Sequence, residues 1–149
     1  MILLDVNVLV AANRADLPQH QAVKGWLEQS LDGASTVGLP SASLVGYLRL
    51  VTNHRVFVQP TSPDDALAFC DAVLAAPAAR RVSPGPGHWA RFRGLVSELA
   101  LRANDLPDAH LAALALEHDA TLATSDRGFA RFAGLARVDP AAGAPAAAG

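Results

Sequence analysis

Only one cysteine, Cys70, occurs among the 149 residues. An internal disulfide is therefore impossible, and so is a zinc site built from cysteines. Set in Phe69-Cys70-Asp71-Ala72-Val73, the thiol reads as a small buried hydrophobe. Lysine is nearly missing too: of the 12 basic residues only Lys24 is one. The formal net charge is −2, which excludes a uniformly basic surface. Contact with nucleic acid then has to come from a local patch or a metal ion. No apolar run reaches the roughly 18 residues that a membrane span needs. The N-terminus opens directly on a strand-like run without a charged lead-in, unlike a signal peptide. A soluble cytoplasmic protein with no membrane contact is expected. The histidines show no H-x-x-x-H spacing on one element, the hydroxyls make no G-x-S-x-G elbow, and the glycines make no G-x-x-x-x-G-K loop. Zinc, acyl-transfer and P-loop chemistry are thereby set aside.

What is present is a chain that is 51% hydrophobic, enough for one domain with a full core. Residues 1–140 are read as that domain, and the Ala/Gly/Pro-rich 141–149 as a disordered tail. Met1–Val6 is a continuous apolar run, as expected for a parallel strand covered on both faces. Asn7–Asn13 leads away from it. Asp16-Leu17-Pro18 starts a helix whose inward face holds Ala22, Val23, Trp26, Leu27 and Ser30, and Gly33 ends it. Thr36–Leu39 is a second short strand. Ser41 or Ser43 is expected to cap a helix running to about Asn53. Thr61-Ser62-Pro63-Asp64-Asp65 is a strong helix start, with a hydroxyl cap, proline in the first turn and acids at the positive end of the dipole. Arg80–Ser83 and Leu135–Val138 are candidate short strands. Trp89, Phe92, Leu95, Val96 and Leu99 mark an amphipathic helix. Leu106 to about His118 forms another, followed by a strand at Ala120–Thr124. Short strands alternating with helices point to an α/β protein, a three-layer α/β/α sandwich around a short parallel sheet.

The chemistry rests on aspartate. Asp5 ends the first strand, Asp108 lies in the first turn of the helix after Pro107, and Asp126 follows the strand Ala120–Thr124. In open parallel sheets ligands bind beyond the carboxyl ends of the strands. Carboxylates gathered there repel one another unless a proton or cation lies between them, and hard cations such as Mg²⁺ take oxygen ligands of this kind. Taken alone, Asp5 is equally well explained as a helix cap, and Asp126 reads also as a cap on a short helix. Asp108, which points along the small apolar stripe of Ala112 and Ala115, is less well explained as a mere dipole complement. Asp105 reads as the turn residue of Asn104-Asp105-Leu106-Pro107. Asn7, Thr124 and Ser125 are candidates for orienting the carboxylates or water. Arg49 and Arg55, with His54, form a possible positive rim for a phosphate backbone.

At these residues the chain resembles a PIN-domain protein of the VapC toxin ribonuclease type. The segments that carry the likeness are Leu3-Leu4-Asp5-Val6-Asn7-Val8-Leu9-Val10, Gly46-Tyr47-Leu48-Arg49-Leu50-Val51-Thr52-Asn53 with Arg55-Val56-Phe57, Asn104 to Ala115, and Ala120 to Phe132. They stand in the family's order. The resemblance implies the PIN-like α/β/α fold, RNA as substrate and Mg²⁺, with Mn²⁺ as substitute. It implies Asp5, Asp108 and Asp126 as the metal-site carboxylates, a VapB-type antitoxin as partner and a homodimer. One departure stands out. The family usually has a glutamate on the helix after the second strand, and here that position is Gly46. A glutamate placed there is expected to tighten metal binding and to gain helix propensity, provided the position is sterically open. Two rivals are weighed beside this reading. A phosphotransfer domain with Asp5 as nucleophile needs a lysine near the carboxyl edge, and Lys24 is far from any strand end in sequence. A catalytically silent PIN-like binding module is encouraged by Gly46.

Overall fold

A computed structural model describes residues 1–142. The elements run β1 (Ile2–Leu4), α1 (Val6–Asn13), α2 (His20–Leu31), β2 (Val37–Pro40), α3 (Ser41–Val51), α4 (Pro63–Leu74), β3 (Ala79–Val82), α5 (His88–Glu98), α6 (Asp105–Glu117), β4 (Thr121–Ala123) and β5 (Arg137–Val138). The strands form one parallel sheet in the order β3-β2-β1-β4-β5.

Successive strand residues point to opposite faces, and the cores divide accordingly. Leu4, Val37, Leu39 and Ala123 pack under α1 to α4. Leu3, Val82 and Leu122 pack under α6 together with Phe129 and Phe132. The three-layer α/β/α architecture expected from the alternation of strands and helices is what forms. From β1 the chain builds outward through β2 to β3, then crosses back to lay β4 on the other side of β1. The direction of winding thus reverses between β1 and β4, the switch point at which open α/β sheets bind ligands.

Local chemistry explains most boundaries. Ser62 caps α4 by accepting from Asp65 N at 3.1 Å, with Pro63 in the first turn, as its sequence demands. Several expectations are corrected. The segment after β1 is a helix from Val6, so the strand stops at Leu4; the side chain of Asp5 caps that helix. Neither Ser41 nor Ser43 caps α3, whose N-cap is Pro40 without a side-chain bond. Ala22 points outward on α2, and His20 and Leu31 complete its buried face instead. On α5 Trp89 is 68% exposed, and His88 takes the buried position. Ala141 and Ala142 belong to a 3₁₀ turn over Pro140–Ala142, in which Ala141 packs on the core. The remainder of the expected tail, 143–149, lies outside the described residues.

Gly46 is the close approach between α1 and α3. A Cβ built there would lie 2.6 Å from Cγ2 of Val6. Valine is stiff at χ1 and cannot swing that methyl away cheaply. The position is closed, so the propensity gain expected of a larger residue does not apply. Gly46→Ala should destabilise the protein by about 1–3 kcal/mol, an overpacking cost, instead of the gain of up to about 1 kcal/mol that helix propensity offers. Urea unfolding of Gly46→Ala, Val6→Ala and the double variant checks this. The double variant should recover part of the loss; a stabilised single variant would show that the two helices separate freely.

Candidate active site

The switch point gathers the acids from three elements. β1 ends at Leu4 and delivers Asp5; β4 ends at Ala123 and delivers Thr124, Ser125 and Asp126. α6 begins at the same edge, so its first turn carries Asp105 and Asp108. The turn before α6 places Ala100 and Ala103 in the left-handed region, each at φ 50°, a strained conformation for alanine. Asn104, Pro107, Asp108 and Leu111 thereby reach the wall of a cleft of about 630 Å³. The same cleft is lined by Asp5, Val6, Asn7, Ala42, Ser43, Arg49, Leu50 and Asp126.

Asp5 is 8% exposed, and both of its oxygens accept hydrogen bonds. Its Oδ1 accepts from Val6 N at 2.7 Å. Its Oδ2 accepts from Thr124 Oγ1 at 2.7 Å and from Asn7 Nδ2 at 2.9 Å. The Asn7 amide also donates to Thr124 Oγ1 at 3.1 Å, and Asn7 Oδ1 accepts from Ser125 N at 3.2 Å. Thr124 Oγ1 accepts from Asp126 N at 3.0 Å. Asn7, Thr124 and Ser125 thus form one network that fixes the Asp5 carboxylate and the backbone leading to Asp126. Asp126 Oδ1 accepts from Gly128 N at 2.7 Å and caps the 3₁₀ turn Arg127–Arg131. Asp108 Oδ2 accepts from Arg131 at 2.9 Å, and the same guanidinium reaches Asp105 Oδ1 at 3.1 Å.

The electrostatics are those of crowded like charges. Burial pushes the Asp5 carboxyl above its ordinary 3.8; the Thr124 and Val6 donors oppose this and the Asp126 charge adds to it. Burial also raises Asp108; Asp126 and Asp5 add to the effect while Arg131 opposes it. Asp5 and Asp108 thus both sense the Asp126 charge, and Asp108 also senses that of Asp5. Among the described residues, no set of three His, Cys, Asp or Glu side chains converges as a group that could hold a metal ion. The acids share a wall without forming a closed cage. The donor set nevertheless fits a hard dication: it is all oxygen, its charges repel, and Mg²⁺ characteristically keeps several waters and uses only one or two carboxylates. Ser43 adds a buried hydroxyl in the cleft wall that has no hydrogen-bond partner among the described residues.

Of the residues singled out in the sequence, Asp5, Asn7, Asp108 and Asp126 come together in the cleft wall, joined by Arg49. Thr124 and Ser125 stand immediately behind it through their bonds to Asp5 and Asn7. Arg55 lies outside, on the exposed turn after α3. Gly46 falls on the α3 face that carries Ala42, Ser43, Arg49 and Leu50, yet its contact is Val6. Arg131 was not foreseen. Its pairing with Asp108 spans 23 positions along the chain, and a single 3₁₀ turn leaves no periodic signal.

The family described as PIN domain matches residues 2–135. The chain is 54% identical over 132 residues to Ribonuclease VapC43 of Mycobacterium tuberculosis, covering 89% of this chain and 90% of that protein. It is 41% identical over 140 residues to Ribonuclease VapC25 of the same species, covering 94% and 99%. In fold it is similar to VapBC2 from Rickettsia felis bound to a promoter DNA fragment, with a TM-score of 0.69, 18% identity, and coverage of 93% of this chain and 98% of that one. It is likewise similar to VapC20 of M. tuberculosis, a sarcin-ricin loop cleaving toxin, with a TM-score of 0.65, 18% identity, and coverage of 94% and 100%.

The raised Asp108 carboxyl sets a pH dependence in metal-free buffer. Between the ordinary value of 3.8 and the raised native value, the folded state binds more protons than the unfolded one. Stability of the wild type then falls as pH rises through that window. Asp108→Asn removes the titration. Its melting temperature in EDTA should exceed that of the wild type at pH 7, and the difference should shrink as pH falls toward 4. A variant less stable at pH 7 would mean that the Arg131 bridge outweighs burial and repulsion.

Proposed function

The chain belongs to the PIN-domain family, among its VapC ribonucleases, and we propose that it hydrolyses RNA phosphodiester bonds with a divalent ion, Mg²⁺ or Mn²⁺, held among Asp5, Asp108 and Asp126. It is an endoribonuclease toxin, and a VapB-type antitoxin is its partner. The observation that carries the metal reading is the gathering of three carboxylates in one cleft at the sheet's switch point.

A bound divalent ion supplies a Lewis acid that offsets charge on the phosphate and lowers the pKa of bound water. The chain's own residues do the rest. Asp5 is held by donors on α1 and just beyond β4, so its carboxylate faces the cleft at no further ordering cost. Asn7 and Thr124 fix its orientation, as outer-shell partners do. Asp108 and Asp126 supply the remaining negative charge from the same cleft wall. Arg49, in the last turn of α3, offers a cation to an RNA phosphate along the cleft. A homodimer belongs to the same proposal. No helix among the described residues is long and apolar enough to cross a membrane, which is compatible with action on RNA in the cytoplasm.

Asp5→Asn and Asp108→Asn should each lower metal-dependent RNA cleavage by about two orders of magnitude or more, beyond the 10- to 100-fold typical of losing an outer-shell partner. Asn7→Ala should fall within that smaller range. Cleavage of a labelled RNA with Mg²⁺, Mn²⁺ or EDTA, beside a melt of each variant, checks this. Full activity in a folded Asp5 or Asp108 variant would refute the assignment, and no cleavage by the wild type with either ion would favour a silent RNA-binding module.

Arg49→Ala should also lower the slope of log affinity for RNA against log salt by about one, the signature of one lost phosphate contact. Arg55→Ala, outside the cleft wall, is the comparison. An unchanged slope for Arg49→Ala would remove it from the RNA path, whatever Arg55 does.

A further inference from the structure

Among the described residues, Arg131 is the only basic side chain ion-paired to an acid of the cleft. It ends the 3₁₀ turn that Asp126 caps. Buried Phe129 and Phe132 hold that turn against the sheet, and the guanidinium carbon lies 5.0 Å from the Phe132 ring centre. The fork is split: one arm goes to Asp108 and the other to Asp105, one helical turn apart. Neither carboxylate is gripped by two parallel bonds, the arrangement that makes such pairs strong. Both partners at Asp108 remain a third exposed, at 32% each, and an ion pair so open to water is weak.

We propose that Arg131 is the exchangeable counter-ion of the cleft: it neutralises Asp108 in the metal-free protein, yields that carboxylate to a divalent ion, and is thereby released to bind an RNA phosphate. The inference rests on the reading of Asp108 as a metal ligand. Three features support it. A monovalent cation held through one arm is a poor competitor for a dication at the same oxygen. The released guanidinium matches phosphate geometry better than any other side chain. The Phe132 contact keeps its stem on the turn that Asp126 caps, within reach of Asp108. Ion and RNA are then coupled through one side chain, and each strengthens the other's binding by the same factor.

The test uses the full chain and compares wild type with Arg131→Gln, Arg131→Met, which preserves the stem over Phe132, and Asp108→Asn. Mn²⁺ is titrated calorimetrically into each metal-free protein. Either folded Arg131 variant should bind Mn²⁺ about two- to five-fold more tightly than wild type, the scale of a partly exposed ion pair, and Asp108→Asn should bind it more weakly. Mixed-sequence single-stranded DNA then serves as a probe of backbone contacts. With Mn²⁺ present, the salt slope of its binding should fall by about one in the Arg131 variants; without Mn²⁺ it should match wild type. Equal or weaker Mn²⁺ binding in the Arg131 variants overturns the proposal, because the arginine would then orient Asp108 instead of competing for it. A slope change that appears with and without Mn²⁺ also overturns it. If Asp108→Asn binds Mn²⁺ as wild type does, the metal-site reading fails first and the proposal fails with it. If Asp108→Asn binds more weakly and the Arg131 variants do not bind more tightly, only the proposal fails.

Discussion

The carboxylate of Asp5 is the constraint on which the site depends. It caps α1 through Val6, receives the Thr124 hydroxyl from the end of β4, and receives the Asn7 amide from the first turn of α1. Those donors bind two neighbouring strands and a helix into one corner of the sheet. Burial penalises the charge, and the donors offset only part of the penalty. A residue chosen for stability alone would not be an ionisable group here, since serine or asparagine caps a helix as well. The fold therefore holds a carboxylate in a place where its charge costs stability, the pattern expected where chemistry requires the charge.

Repulsion then organises the rest of the edge. Asp108 and Asp126 come from different elements, so no short-range hydrogen bond ties them together. Their separation is set by the packing of α6 and of the Phe129–Phe132 turn on the second core. Arg131 is the available counter-charge, and it reaches Asp108 by bridging from that same turn. The acids are consequently well positioned as a group yet not converged. Such an open arrangement fits the proposed reading, in which a cation and its waters complete the site.

Much of this was legible in the sequence because it follows from local rules. Continuous apolar runs gave the parallel strands, and Ser62-Pro63-Asp64-Asp65 gave the start of α4 within a residue. The three acids were legible because each follows a strand or opens a helix, and such positions meet at one edge of a parallel sheet. Helix α1 was not legible. Its residues 8–12 are all buried, so no polar face interrupts the apolar run of β1. The face of α5 was misread at Trp89, because an aromatic at helical spacing is ordinarily core, while His88 next to it packs on Phe92 and His110. Arg131 and the Gly46–Val6 contact are tertiary facts. Nothing within a helix window encodes which residue of another element lies 2.6 Å away.

The contact at Gly46 also bears on why the site has three acids. Position 46 shares the α3 face that fronts the cleft, the face on which the resemblance to the family led one to expect an acid. Val6 follows the capping Asp5 directly, and its branched side chain fills the space that a Cβ on α3 would need. A β-branched residue at 6 and a side chain at 46 are therefore alternatives in this packing. With glycine at 46, α3 contributes no carboxylate to the cleft, and the repulsion among the acids is smaller than a fourth would make it. Arg131, shared between Asp105 and Asp108, offsets only part of the charge that remains, and a further carboxylate beside it would add to the repulsion.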